Sequence, residues 1–459
     1  MSHKKKHTND FGRDPIPGLV LRVSVPFMVA QFVNVFYSIA DRIFIGNLPV
    51  DGQTALAGAG VCAPIVTLLS SFATLIGIGG SILFSMRLGQ KNHSQAEQIL
   101  GSCFSLLMGF SAALTILFLL LKSRLLWWFG ASAETFPYAD TYLTIYTCGT
   151  FFALLSAGMN YFITAQGFPA LGMATTLIGA VLNLILDPVF LFGLDLGIAG
   201  AAIATVIAQI ASCAFVLLIL RRKSMPIPLH IRKPSRAIVQ SVVSFGFSPF
   251  LILATDSILL IALNAALQYH GGTQGDMLIT CATIAQSYLM LITSPMIGIT
   301  GGSQPLISFN YGAARPERIH QTVRCVLTLC ICFTGFMFVL SRIVPEGFVR
   351  IFTSDTEQIQ LSSWAIRTYT LMIVPLAFQY TFVDSLTALG KPKVSLTLSL
   401  FRKTLYFSCA CLLPFAFGAT SSFYAEPIAD GIAAVASTTT YLMIMKMHPI
   451  AASQNNDSL

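Results

Sequence analysis

Long apolar stretches alternate with short polar breaks along nearly the whole chain. A helix that crosses a bilayer needs about 20 mostly apolar residues. Stretches of that kind recur at 18–46, 54–82, 96–121, 138–162, 170–192, 197–220, 238–265, 276–302, 320–343, 363–388, 395–417 and 424–446. The pattern predicts an all-α membrane protein with twelve spans, most neighbours forming antiparallel hairpins across short loops. No break is long enough to hold a folded soluble domain, and no small-residue cleavage site follows the first stretch. Span 1 is therefore expected to stay in the mature protein.

Composition agrees. The chain has 459 residues, 55% hydrophobic and only 10% charged, against about 25% charged in a soluble domain. The net charge of +8 would suggest nucleic acid in a soluble protein, but here the basic residues sit in loops. Lys4, Lys5, Lys6 and Arg13 precede span 1. Much of the rest follows even-numbered spans, above all in the proline-containing stretch RRKSMPIPLHIRKPSR at 221–236. The loops after odd-numbered spans carry only Lys122, Arg124, Arg342 and Arg350. Positive charge is retained on the cytoplasmic side, so both termini and the 221–236 linker are expected there. Membrane lipid, not nucleic acid, is the expected surrounding. The ten cysteines lie in or beside apolar runs without metal-binding spacing and read as small packing residues.

The two halves repeat each other. Pro26 pairs with Pro249, Gly79-Gly80-Ser81 with Gly301-Gly302-Ser303, Gly89 with Gly312, and Gly167 and Pro169 with Gly390 and Pro392, all at one offset to within a residue. The matches fall at the expected ends of corresponding spans. The expected parts are an N-terminal tail 1–17, a first lobe 18–220, the linker 221–236, a second lobe 237–446 and a tail 447–459. Six spans per half means that both halves enter the membrane in the same orientation, a parallel repeat of the kind transporters use.

Charges inside spans are expensive and tend to mark ion paths. Asp41 in span 1 and Asp187 in span 5 lie at one depth on this topology. Asn183 sits one turn before Asp187, and Pro188 leaves the Leu184 carbonyl without its helical donor. Thr205 falls in the neighbouring span 6. Gln31, Asn34, Ser38 and Asp41 form one polar stripe along span 1; such a stripe either lines a path or joins helices together. Asp256 lies mid-span in the second half and is a candidate contact for cationic substrate. Asp384, Glu426 and Asp430 lie nearer span ends and read as charges snorkelling to the interface. Pro26, which cannot donate to the Arg22 carbonyl, is a candidate hinge. Oxygen donors suit Na⁺ and a carboxylate with a raised pKa suits a proton; the residues do not choose between them. There is no nucleotide-binding loop and no metalloprotease or Ser/His/Asp grouping, so a membrane enzyme is not expected.

Residues 160–209 read NYFITAQGFPALGMATTLIGAVLNLILDPVFLFGLDLGIAGAAIATVIAQ. This stretch resembles the span 4–6 signature of the multidrug and toxic compound extrusion (MATE) family. The likeness lies in the Ala165-Gln166-Gly167 turn, the Asn183-x-x-x-Asp187-Pro188 box and the Gly200-Ala-Ala-x-Ala-Thr205 start of span 6. Pro26, Asp41-Arg42 and the Ala388-Leu389-Gly390-Lys391-Pro392 turn are similar as well, so the resemblance runs the length of the chain. It implies two six-helix lobes about a central cavity, acting as a monomer in a bacterial inner membrane. It implies export of small organic, cationic compounds in exchange for Na⁺ or H⁺, with no other cofactor. It carries a cation site onto Asp41, Asn183, Asp187 and Thr205, with Tyr142 beside them; these four are the ligand set if the ion is Na⁺. Gln31, Asn34, Asn160 and Asp256 are expected to meet substrate. A flippase for a lipid-linked saccharide is the alternative within the same superfamily. It would need basic residues for a diphosphate, and Arg402 and Lys403 are the only basic pair well inside a span.

Overall fold

The computed structural model describes residues 9–49, 51–353 and 355–447. Residues 1–8 of the expected N-terminal tail and 448–459 of the expected C-terminal tail lie outside the described residues. Among the described residues the chain forms fourteen α-helices and no strand. They are α1 (Ile16–Gly46), α2 (Gly52–Gly89), α3 (His93–Trp128), α4 (Phe136–Ala165), α5 (Pro169–Pro188), α6 (Gly197–Leu220), α7 (Arg236–Gly271), α8 (Gly275–Gly312), α9 (Pro316–Ile343), α10 (Pro345–Val349), α11 (Thr356–Tyr369), α12 (Ile373–Ala388), α13 (Pro392–Phe417) and α14 (Ala425–Met447). Eleven are long and apolar enough to cross a membrane, and twelve spans result when the bent pair α11–α12 counts as one.

That pair, the expected tenth span, bends by 46° between Tyr369 and Ile373. A break in a spanning helix frees backbone carbonyls that lipid cannot satisfy. Here Arg342 of α9 donates to the Arg367 carbonyl at 2.5 Å and to Thr370 Oγ1 at 3.2 Å, so the break keeps its donors.

The helices gather into two units. One takes in the residues up to Asp14 and Val29–Ala254; the other takes in Pro15–Met28 and the chain from Thr255 onward. The divisions fall inside α1 and α7, not in the 221–236 segment. In the first unit the core gathers Ile76, Phe84, Leu100, Met159, Phe162 and Val242. The 221–236 segment is docked on this unit. Met225, Ile227 and Leu229 are buried, Ile227 N–H donates to Gln166 Oε1 at 2.9 Å, and Arg232 pairs with Glu97 at 2.7 Å. In the second unit the core gathers Cys281, Ile292, Ile366, Tyr369, Ile373 and Phe423.

The Gly-Gly-Ser repeats do not mark helix ends. α2 runs on to Gly89 and α8 to Gly312, so both motifs lie inside helices. They mark close crossings instead. In the first unit a Cβ on Gly79 would strike the Val242 carbonyl of α7, and one on Gly246 would strike the Leu75 carbonyl of α2. In the second unit a Cβ on Gly298 would lie 2.6 Å from Met28 Cα, and one on Gly302 3.0 Å from Phe27 Cβ. There Ser24 Oγ and Ser303 Oγ share a hydrogen bond of 2.8 Å, and Ser24 also reaches the Ile299 carbonyl at 3.2 Å. Small residues let apolar helices approach where no hydrophobic force drives them together. Gly246→Ala is expected to cost about 1–3 kcal/mol through overpacking and to lower the melting temperature in detergent. Gly109→Ala, with nothing within 4 Å of its added Cβ, is the matched control and leaves it unchanged.

Candidate functional site

α5 ends on Asp187-Pro188. The proline ring has no N–H for the Leu184 carbonyl, and the chain continues as one π-helical turn, Val189–Gly193, with Leu194 N–H bonded to Val189 O at 2.9 Å. Such turns recur at functional sites because they re-aim the preceding residues.

Asp187 is wholly buried, and Asn183 and Thr205 are 1% and 3% exposed. Asn183 Nδ2 donates to Asp187 Oδ1 and to Thr205 Oγ1, both at 3.2 Å. The Thr205 hydroxyl donates in turn to the Ala201 carbonyl at 3.0 Å. Both Asn183 contacts need its amide nitrogen, so its oxygen is left over. From α1, the Asp41 carboxyl comes within hydrogen-bonding reach of the Asp187 carboxyl. Three buried oxygens here have no donor: Asp41 Oδ1, Asn183 Oδ1 and Asp187 Oδ2.

Aromatic residues close the group. Tyr142 of α4 lies beside Asp41 and stacks on Tyr146 with ring centroids 6.1 Å apart. Tyr37 lies among Asp41, Asp187, Tyr146 and Thr205. Tyr37 and Tyr146 escaped the sequence reading. The signal for Tyr37 was its place one helical turn before Asp41.

The structure thus gathers Asp41, Asn183, Asp187, Thr205 and Tyr142, and leaves the other expected residues elsewhere. Asn34 Nδ2 donates to Gln31 Oε1 at 3.1 Å, a pair on the exposed face of α1. Asn160 Nδ2 donates to the Gly172 carbonyl at 3.2 Å, joining α4 to α5. Pro26 sits in α1 between Ser24 and the close approach of Phe27 and Met28 to α8. Asp256 is ion-paired with Lys403 at 2.6 Å, although its side chain remains 55% exposed.

Glu426 and Asp430 do not snorkel. They are 7% and 0% exposed, and both pair with Arg402, at 2.6 and 2.7 Å. The short helical turn Ala419–Tyr424 packs Phe423 into the core of its unit, which buries the first turn of α14 with it. Asp384 is half-buried, beside Thr300 and Gln304 of α8.

Two carboxyls beside each other, three bare oxygens and only the exposed Arg42 as a nearby positive charge make a site that can take a cation. A hard monovalent cation accepts oxygen ligands of this kind, and a proton between the carboxyls relieves their repulsion equally well. Asn183→Ala removes one neutral oxygen and keeps both acids. The expected result is an ion affinity weaker by about 10-fold, the worth of one hydrogen-bond-strength contact, with the maximal rate little changed. It is read from the ion dependence of transport in proteoliposomes.

The MatE family model matches residues 26–189 and 253–412. The multidrug export protein MepA of Staphylococcus haemolyticus is 25% identical over 420 residues, 90% of this chain and 91% of its own length. MepA of a Staphylococcus aureus strain is 23% identical over 437 residues, 93% of this chain and 94% of its own. Among solved structures, a MATE protein in complex with MaL6 superposes with a TM-score of 0.90 at 21% identity, covering 96% of this chain and 99% of that one. The family model reaches both halves of the chain and takes in the α1 and α5 acids described above, so this chain belongs to the MatE family and is a membrane transporter, not an enzyme.

Proposed function

We propose that this transporter is a secondary antiporter that exports organic, cationic compounds, with Na⁺ or H⁺ as the exchanged cation entering at Asp41 and Asp187. The observation that carries the reading is the carboxyl pair with two donor-less oxygens, joined by the donor-less amide oxygen of Asn183. Such a group is at rest only with a cation or proton in it. Binding there removes the repulsion between α1 and α5, which favours one arrangement of α1 over another. Pro26, lacking its helical hydrogen bond, gives α1 a place to bend. A change in α1 that follows ion occupancy is how this group would couple a gradient to alternating access.

The MepA relatives are multidrug export proteins, which supports export of organic compounds, and the positive-inside charge pattern supports cytoplasmic termini. Arg402 and Lys403, the pair that a lipid diphosphate would need, are both held by carboxylates, so nothing favours the flippase alternative. The test is efflux of a fluorescent organic cation from proteoliposomes, driven separately by a Na⁺ gradient and by a pH gradient. Efflux under one gradient is the expected result. Equal rates with and without either gradient would refute antiport.

A further inference from the structure

The second unit holds a charge cluster that the exchange site does not use. From α13, Arg402 gives Nη2 to Glu426 Oε1 at 2.6 Å and Nε to Asp430 Oδ1 at 2.7 Å. Lys403, next along the helix, gives Nζ to Asp256 Oδ1 at 2.6 Å and to Thr255 Oγ1 at 2.9 Å. Two cations therefore face three carboxyls. The Asp256 side chain is 55% exposed, whereas Asp430 is wholly buried. Asp430 shares Arg402 with Glu426, and its second oxygen, Oδ2, is buried with no donor. The other titratable groups around the cluster are Tyr380 of α12, Tyr369 of α11 and Tyr406 of α13, phenols that bring no positive charge. An anion stripped of water, with half a partner and a bare oxygen, is costly to keep ionised.

We propose that Asp430 is a second proton-binding site in this chain, taking a proton from hydronium onto Oδ2 while Oδ1 stays on Arg402. One O–H bond of hydronium breaks, leaving water, and one O–H bond forms at Oδ2; the cluster then holds two positive and two negative charges: Arg402 with Glu426, and Lys403 with Asp256. Each unit accordingly carries its own cation-binding acid. The role of the second in exchange rests on the function proposed above; its protonation does not.

The test is infrared spectroscopy on the purified full-length transporter, which needs no transport. At neutral pH the protonated-carboxyl band should contain one aspartate of the second unit. Labelling the side-chain carboxyl carbon of aspartate shifts that share, and labelling glutamate does not. Asp430→Asn removes it, whereas Asp41→Asn with Asp187→Asn leaves it in place. Should Asp430→Asn fail to fold, Glu426→Gln serves: it balances the cluster without a proton, so the share disappears with Asp430 intact. A band that Asp430→Asn leaves unchanged across the pH range overturns the proposal. So does a share that vanishes on adding NaCl at constant pH, which would assign the site to a metal cation. Failure of gradient-driven efflux would leave this spectrum untouched, so the two readings fail separately.

Discussion

Asp41→Asn and Asp187→Asn each bring gradient-driven efflux down to the level of empty proteoliposomes, while the purified proteins keep their wild-type melting behaviour. The asymmetry follows from shape and charge. Asparagine has nearly the volume of aspartate, so packing around the wholly buried Asp187 is kept. It also removes the repulsion that ion binding would otherwise relieve. A site whose empty state is already relaxed gains nothing from the ion, and a ligand without differential affinity cannot shift a conformational equilibrium. Double substitution should be no worse than either single one, because both act on the same pair. The measurement is efflux at several Na⁺ concentrations and pH values. If both variants pump at the wild-type rate with unchanged ion dependence, this site is not where coupling occurs.

Arg402→Met is expected to be the most destabilising single change in the second unit, costing about 3–5 kcal/mol. It leaves Glu426 and Asp430 buried together without their cation, 2.6 and 2.7 Å from where it stood. Adding Glu426→Gln and Asp430→Asn to Arg402→Met should restore most of the lost stability, since no buried carboxyl is then left without the guanidinium that Arg402 supplied. Asp430→Asn alone should be mild, because Arg402 keeps Glu426. Thermal unfolding of the four proteins in detergent separates these expectations. A triple variant as unstable as Arg402→Met would mean that packing, not charge, is what Arg402 supplies.

The spans were legible because lipid demands long apolar stretches, and eleven helices with one bent pair meet the twelve expected. The break at Tyr369–Ile373 was not, since the donor that supports it, Arg342, lies on another helix. What sequence hides in such a chain is rotation about each helix axis. A helix that is apolar all round carries little sign of which face meets a neighbour. Gly79 therefore read as a repeat landmark at a span end, and Gly246 not at all, although α2 and α7 cross at them. Arg402, Glu426 and Asp430 read as separate charges for the same reason: their pairing depends on how α13 and α14 face each other. Asp41 and Asp187 could be set at one depth by counting residues, because rise per residue is constant. Tyr37 and Tyr146, placed by side-chain direction, could not.

The division of the units inside α1 and α7 bears on how the gene can be cut. A break in the 221–236 segment looks harmless by length and composition, yet it separates neither unit cleanly. The first fragment would carry Pro15–Met28, which belongs to the second unit, and the second fragment would carry the part of α7 before Thr255, which belongs to the first. Each product would leave glycine-lined grooves on α2 or α8 without the half-helix that fills them. The halves of this chain are thus not interchangeable cassettes. A split version would have to trade its leading half-helices to complete both units.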